Sequence, residues 1–186
     1  MLTSYPLAAV SGIQLKAGMT RPSTPPLPRE IEADPGHEGI RARLAAVARP
    51  LWSGGRVPTP VLPLRPALAG ALGAAYRGGH LVLGLERAEE ALAAEARGLA
   101  LVARRAGTRA GARVSRLLLV SDDGAERLYR HLERLAIAHA PRVLVVMLAT
   151  DAATLGRATT GREAAVKVVL VRRKQAVAAL LRTLVS

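Results

Sequence analysis

The 186-residue chain has no cysteine, no phenylalanine and a single tryptophan. The missing cysteine excludes disulfides and thiolate zinc sites and leaves the redox compartment open. Without phenylalanine, the core has to be assembled from Leu, Val, Ile and Ala, forgoing the large area each buried aromatic supplies. Long apolar runs are missing too. No stretch of 18 residues is both uncharged and mostly apolar, so neither a membrane span nor a membrane partner is expected. Proline is scarce over most of the chain: 11 of the 12 prolines lie in residues 1–66, and the last is Pro141.

Half of the residues are hydrophobic, which suits one folded domain with an appendage. The prolines mark residues 1–65 as a Pro-rich extension, of which residues 1–35 read as an extended arm or linker, partly polyproline-like over residues 21–28. Residues 1–29 lack acids, as organellar transit peptides do, but their prolines and few cations argue against one. One short helix is expected over residues 39–48, with Ile40, Leu44 and Val47 on one face and Pro50 stopping it. Leu51 and Trp52 follow as an apolar anchor, the tryptophan as a docking plug, and residues 53–65 read as loop.

From Pro66 onward, helices and strands alternate. Helices are expected at 66–76, 86–96, 125–139, 154–158 and 175–185, with strands at 80–83, 117–120, 143–148 and 166–171. A short apolar segment at 99–103 leads into an arginine-rich loop. Continuous apolar strands between amphipathic helices predict an α/β fold for residues 66–186. Its form would be a three-layer α/β/α sandwich around a small mixed sheet.

The formal charge is +13, and only Lys16, Lys167 and Lys174 of the 27 basic residues are lysines. Arginine binds phosphate oxygens bidentately and stacks on bases, so this bias favours nucleic acid, although GC-rich coding also raises arginine. Arg97, Arg104, Arg105, Arg109, Arg113 and Arg116 fall within residues 97–116 without one acid, and Arg172, Arg173 and Lys174 form a second cluster. A polyanion is the natural neutraliser of such clusters.

Catalytic constellations are thin. There is no G-x-S-x-G elbow and no H-E-x-x-H. Residues 156–163 have P-loop glycine spacing, but Arg162 and Glu163 stand where Lys and Ser/Thr are required. Asp122 and Asp123 follow a strand, where α/β sites often lie, yet acids there equally favour the dipole of the next helix. No enzyme activity, metal or cofactor is expected.

The stretch YRGGHLVLGLERAEEA (residues 76–91) resembles the strand–glycine–helix start of the kink-turn-binding ribosomal-protein superfamily. The next strand–helix–strand, the Leu155–Gly156–Arg157–Ala158 stretch and the final strand follow the same order over residues 66–175. Within the superfamily, RHLERLAIAHAPRVLVV (residues 130–146) is most similar to a protein subunit of RNase P and RNase MRP. The resemblance implies a non-catalytic RNA-binding subunit of a nuclear or nucleolar ribonucleoprotein that handles tRNA or rRNA. A ribosomal protein in the cytoplasm or an organelle, or a protein scaffold of the same fold, are the alternatives.

In the family, a glycine, an asparagine, a glutamate and a lysine contact sheared G·A pairs, and a leucine–glycine loop packs on a flipped-out base. This chain keeps Gly84 but has Glu86 at the asparagine position, Arg87 at the glutamate and Glu90 at the lysine. A carboxylate accepts but does not donate, so RNA contact is expected instead through Arg87, Arg157, Arg162 and the arginine loop. The candidate RNA-binding set is therefore Gly84, Glu86, Arg87, Arg104, Arg105, Arg109, Arg113, Leu155, Gly156, Arg157 and Arg162. The charge excess is expected to lie beside this RNA-facing edge. Residues 1–65 would reach neighbouring protein subunits.

Overall fold

Three apolar runs form the middle of a six-stranded sheet. The strands are β1 (Ala48–Pro50), β2 (Pro58–Pro63), β3 (Leu81–Leu83), β4 (Arg116–Ser121), β5 (Val143–Ala149) and β6 (Val168–Val171). A computed structural model describes residues 25–107 and 111–185. The strand order is β1-β2-β5-β4-β6-β3, with β2, β5 and β4 mutually parallel and the other pairs antiparallel.

Side chains alternate across the sheet with the period of two that strands impose. Leu117, Leu119, Leu144, Val146 and Leu148 face one side, beneath α1 (Arg29–Glu32), α2 (His37–Ala46), α3 (Pro66–Arg77), α6 (Ala152–Thr160) and α7 (Lys174–Val185). Leu118, Val120, Val143, Val145 and Met147 face the other, beneath α4 (Leu85–Ala106) and α5 (Glu126–Ala138). The expected three-layer sandwich around a mixed sheet is the observed architecture. Each fully buried leucine contributes about 1.5–3 kcal/mol, so the aliphatic core holds the layers without phenylalanine. Among the described residues, no helix is long and apolar enough to cross a membrane.

The amino-terminal part departs from expectation. Residues 25–65 are not an arm lying off the domain, because Leu27, Ile31, Leu44 and Leu62 are buried in the same cluster as the sheet. Residues 1–24, including the first half of the polyproline-like stretch, lie outside the described residues. The supposed loop at 53–65 contains β2, which pairs with β1 through Pro58–Pro60 and with β5 through Val61–Pro63. Proline is compatible with this strand because Pro58 and Pro60 alternate. They remove donors on one side only, while the Val61 N–H on the other side donates to the Val47 carbonyl at 3.1 Å.

Trp52 docks as expected, but on its own domain. Its Nε1 donates to Glu133 at 2.8 Å, and the Arg130 guanidinium lies 4.6 Å from its ring centroid. The same buried carboxylate accepts the backbone N–H groups of Arg56 and Val57. Burial raises the pKa of Glu133, but the N–H donors of Arg56, Trp52 and Val57 together outweigh it and hold the carboxyl below its ordinary range.

Glu133→Ala strands three donors and is expected to cost about 3 kcal/mol. Thermal unfolding would read this as a Tm lower by roughly 6–12 °C. Because the folded-state pKa is depressed, the contribution is complete above the unfolded value of about 4.3 and is lost as pH falls through the folded one. Equal melting of the variant and the natural chain at neutral pH would show that the clamp contributes nothing.

Candidate nucleic-acid interface

The antiparallel β3–β6–β4 arrangement sorts the candidate residues to two opposite ends of the sheet. At one end Gly84 begins α4. Its φ of +91° and ψ of 151° lie in a region open almost solely to glycine. The Gly84 N–H donates to Val168, the Ser121 N–H to Lys167 and the Asp122 N–H to Thr150. These bonds bring the start of α4, the 161–167 loop, the turn after β4 and the start of α6 together. Gly84, Glu86, Arg87, Arg157 and Arg162 thus share an edge, all of them exposed.

That edge is not basic. Arg87, Arg157, Arg162 and Lys167 stand among Glu86, Glu90, Asp122, Asp123, Asp151 and Glu163. Arg157 pairs with Glu163 at 3.3 Å. The Ser121 hydroxyl, at 2.6 Å, holds the Asp123 carboxyl below its ordinary range. The Thr154 N–H and hydroxyl do the same for Asp151, which caps α6. Both carboxylates are therefore charged at neutral pH. Among the described residues, no three His, Asp or Glu side chains gather as a set of metal ligands.

Leu155 and Gly156 are not available to a base. Leu155 is 0% exposed, the one large apolar side chain of α6 and a member of the core. Gly156 is also buried, and a Cβ there would stand 1.6 Å from the Ala164 carbonyl oxygen. The leucine–glycine pair packs the 161–167 loop onto α6, and the base-contacting role is corrected accordingly.

The arginine clusters occupy the opposite end. Helix α4 does not stop at 96 but runs 22 residues to Ala106, where Gly107 closes it at φ +63°. Arg104 and Arg105 therefore sit on its last turn, about 27 Å along the axis from Glu86 at ~1.5 Å per residue. There they also complement the negative end of the helix dipole. Leu101 and Val102 beside them are 54% and 58% exposed. Arg113 is not part of a free loop: it pairs with Glu32 and donates to the Leu27 carbonyl, pinning the first described residues. Arg109 lies outside the described residues. The expectation that the charge excess flanks the kink-turn edge is overturned.

Arg116 at the start of β4 and Arg172 after the end of β6 meet because the two strands are antiparallel, with Leu117 opposite Val171. Glu95 of α4 bridges Arg116, at 2.6 Å from its Nε, and Arg142. Two clefts flank this bridge. One, of about 450 Å³, is lined by Gly79, Glu95, Arg116, Arg172 and Arg173. The other, of about 760 Å³, includes Arg29, Arg113, Arg142 and Lys174. Burial first, then repulsion by Arg172 and Arg173, lowers the pKa of Arg116; burial lowers that of Arg142. Arg29, Arg172, Arg173 and Lys174 have no acidic partner among the described residues.

Sequence reasoning missed Arg29, Glu95 and Arg142 as members of this site. Each is isolated along the chain and is brought in by topology. No protein-family model matches the chain, and no curated protein matches it significantly.

Proposed function

We propose that the chain is a non-catalytic RNA-binding protein of a large ribonucleoprotein that holds RNA phosphates at the basic end of its sheet. The observation carrying this reading is the gathering of seven cations, Arg29, Arg113, Arg116, Arg142, Arg172, Arg173 and Lys174, around two adjoining clefts. Four of them lack an acidic partner among the described residues, an arrangement that a polyanion neutralises. The resemblance to the kink-turn superfamily favours RNase P or RNase MRP as the assembly, with the nucleus or nucleolus as its place. The mixed, net acidic edge around Glu86 and Glu90 argues against recognition of a kink-turn in the family's manner.

The test is binding of structured RNA by the full chain across a salt series. With about 0.7–0.9 counterions released per phosphate contact, the four cations without acidic partners predict a log–log slope of about −3. No binding at low salt would exclude an RNA-binding role and leave the scaffold alternative.

A further inference from the structure

The smaller basic cleft lies between α4, the turn before β3 and the end of β6. Ala91 and Ala94 of α4 form part of its wall, so short side chains leave a hollow beside the arginines. Gly79, with φ +69°, turns the chain at its margin. Three guanidiniums, those of Arg116, Arg172 and Arg173, line this hollow together with one carboxylate, that of Glu95.

The net charge of that lining is +2, with Arg116 partly neutralised by Glu95 and the exposed Arg172 and Arg173 without an acidic partner among the described residues. A phosphodiester inside a nucleic-acid strand carries one negative charge. A terminal phosphomonoester carries about 1.5–2 at neutral pH. We propose that this cleft binds a terminal phosphomonoester, carried by an RNA end or by a free mononucleotide. Naming an RNA end as one source rests on the RNA-binding reading above; the cleft's affinity for the monoester does not.

Three features favour an end over the middle of a strand. The charge of the lining matches a dianion and exceeds that of a diester. Paired arginine forks bind phosphate oxygens at fixed geometry, and a monoester offers three such oxygens. Glu95 closes one side of the cleft through its bridge to Arg116 and Arg142. A strand passing through would bring a second phosphate against that carboxylate, whereas a strand that ends there would not. A dianion in the cleft also offsets the repulsion that Arg172 and Arg173 exert on the half-buried Arg116.

The experiment uses the full chain and short, internally labelled RNAs of one sequence at fixed ionic strength. One RNA carries a 5′-phosphate, one a 3′-phosphate and one hydroxyls at both ends. A phosphorylated form is expected to bind about tenfold tighter than the hydroxyl-ended form, as one added charge-assisted contact implies. Arg172→Ala with Arg173→Ala should erase the difference. Both side chains are exposed, so an unchanged Tm would show that the double variant still folds. Equal affinity for all three RNAs overturns the terminal-phosphate site and leaves RNA binding standing. Binding of a nucleoside monophosphate that the double variant abolishes, with no RNA bound, sustains the cleft and overturns the RNA-binding reading. Binding of neither overturns both.

Discussion

Gly156→Ala is expected to lower the Tm of the full chain by roughly 4–8 °C, although the same change at an open helical position stabilises. In a helix interior, alanine is favoured over glycine by about 0.8–1 kcal/mol, so propensity alone predicts a gain. Gly70 in α3 is exposed with nothing within 4 Å of a built Cβ, and Gly70→Ala should realise most of that gain. At Gly156 the new Cβ would stand 1.6 Å from the Ala164 carbonyl oxygen and 2.7 Å from its carbonyl carbon. Those atoms are backbone, so no rotamer change relieves the overlap. Either α6 withdraws from the sheet, exposing Leu155, or the 161–167 loop moves and strains the start of β6. Overpacking of this kind costs about 3 kcal/mol, which outweighs the propensity gain. Circular-dichroism melts of the two variants should therefore shift in opposite directions. If Gly156→Ala melts with the natural chain, the close packing of α6 on Ala164 is not a constraint on the fold.

This glycine shows how far the sequence can be read. The resemblance singled out Leu155 and Gly156 through a motif, and both prove to be constrained positions, but packing accounts for them without RNA. The strands and helices after Pro66 were legible because their periodicity is strong: β4 and β5 are unbroken apolar runs, and α5 carries Leu132, Leu135 and Ala136 on one face. Among the elements that were not are β2 and the second half of α4. β2 is hidden by Pro58, Pro60 and Pro63; the alternation of the first two preserves donors toward β1 in a way that proline content alone does not reveal. The second half of α4 is hidden by Gly98, which reads as a break. Its cost of about 1 kcal/mol is offset by the helix formers Leu99, Ala100, Leu101 and Arg104 around it.

The candidate site was less legible than the fold for a geometric reason. Charge density along the chain says how many arginines lie near one another in sequence, not at which end of a sheet they emerge. Arg87 and Arg104 belong to one helix, yet its length separates them by about 26 Å at ~1.5 Å per residue. Arg116 and Arg172 are far apart in sequence, yet adjoin because β4 leaves the end at which β6 arrives. Arg29 enters through α1, which the proline-rich reading treated as part of an arm. The family comparison drew attention to the edge around Gly84, whereas the electrostatics concentrate at the other end.

The two ends make separable predictions about RNA. Replacing Arg29, Arg172, Arg173 and Lys174 together by alanine is expected to weaken RNA binding by about 100-fold at physiological salt and to flatten the salt slope by about 3. These four side chains are exposed and have no acidic partner among the described residues. Their removal takes away the proposed phosphate contacts without breaking the Glu95 bridge or the Arg113–Glu32 pair. Replacing Arg87, Arg157 and Arg162 is expected to change affinity by less than about threefold, because the acids around them already offset their field. Filter binding of both variants at two salt concentrations separates the cases. A loss confined to the Arg87, Arg157 and Arg162 variant would place RNA on the kink-turn edge. Glu86 and Glu90 would then have to act as hydrogen-bond acceptors for base amino groups, a role open to a carboxylate, as to an amide oxygen, but not to a lysine ammonium at the Glu90 position.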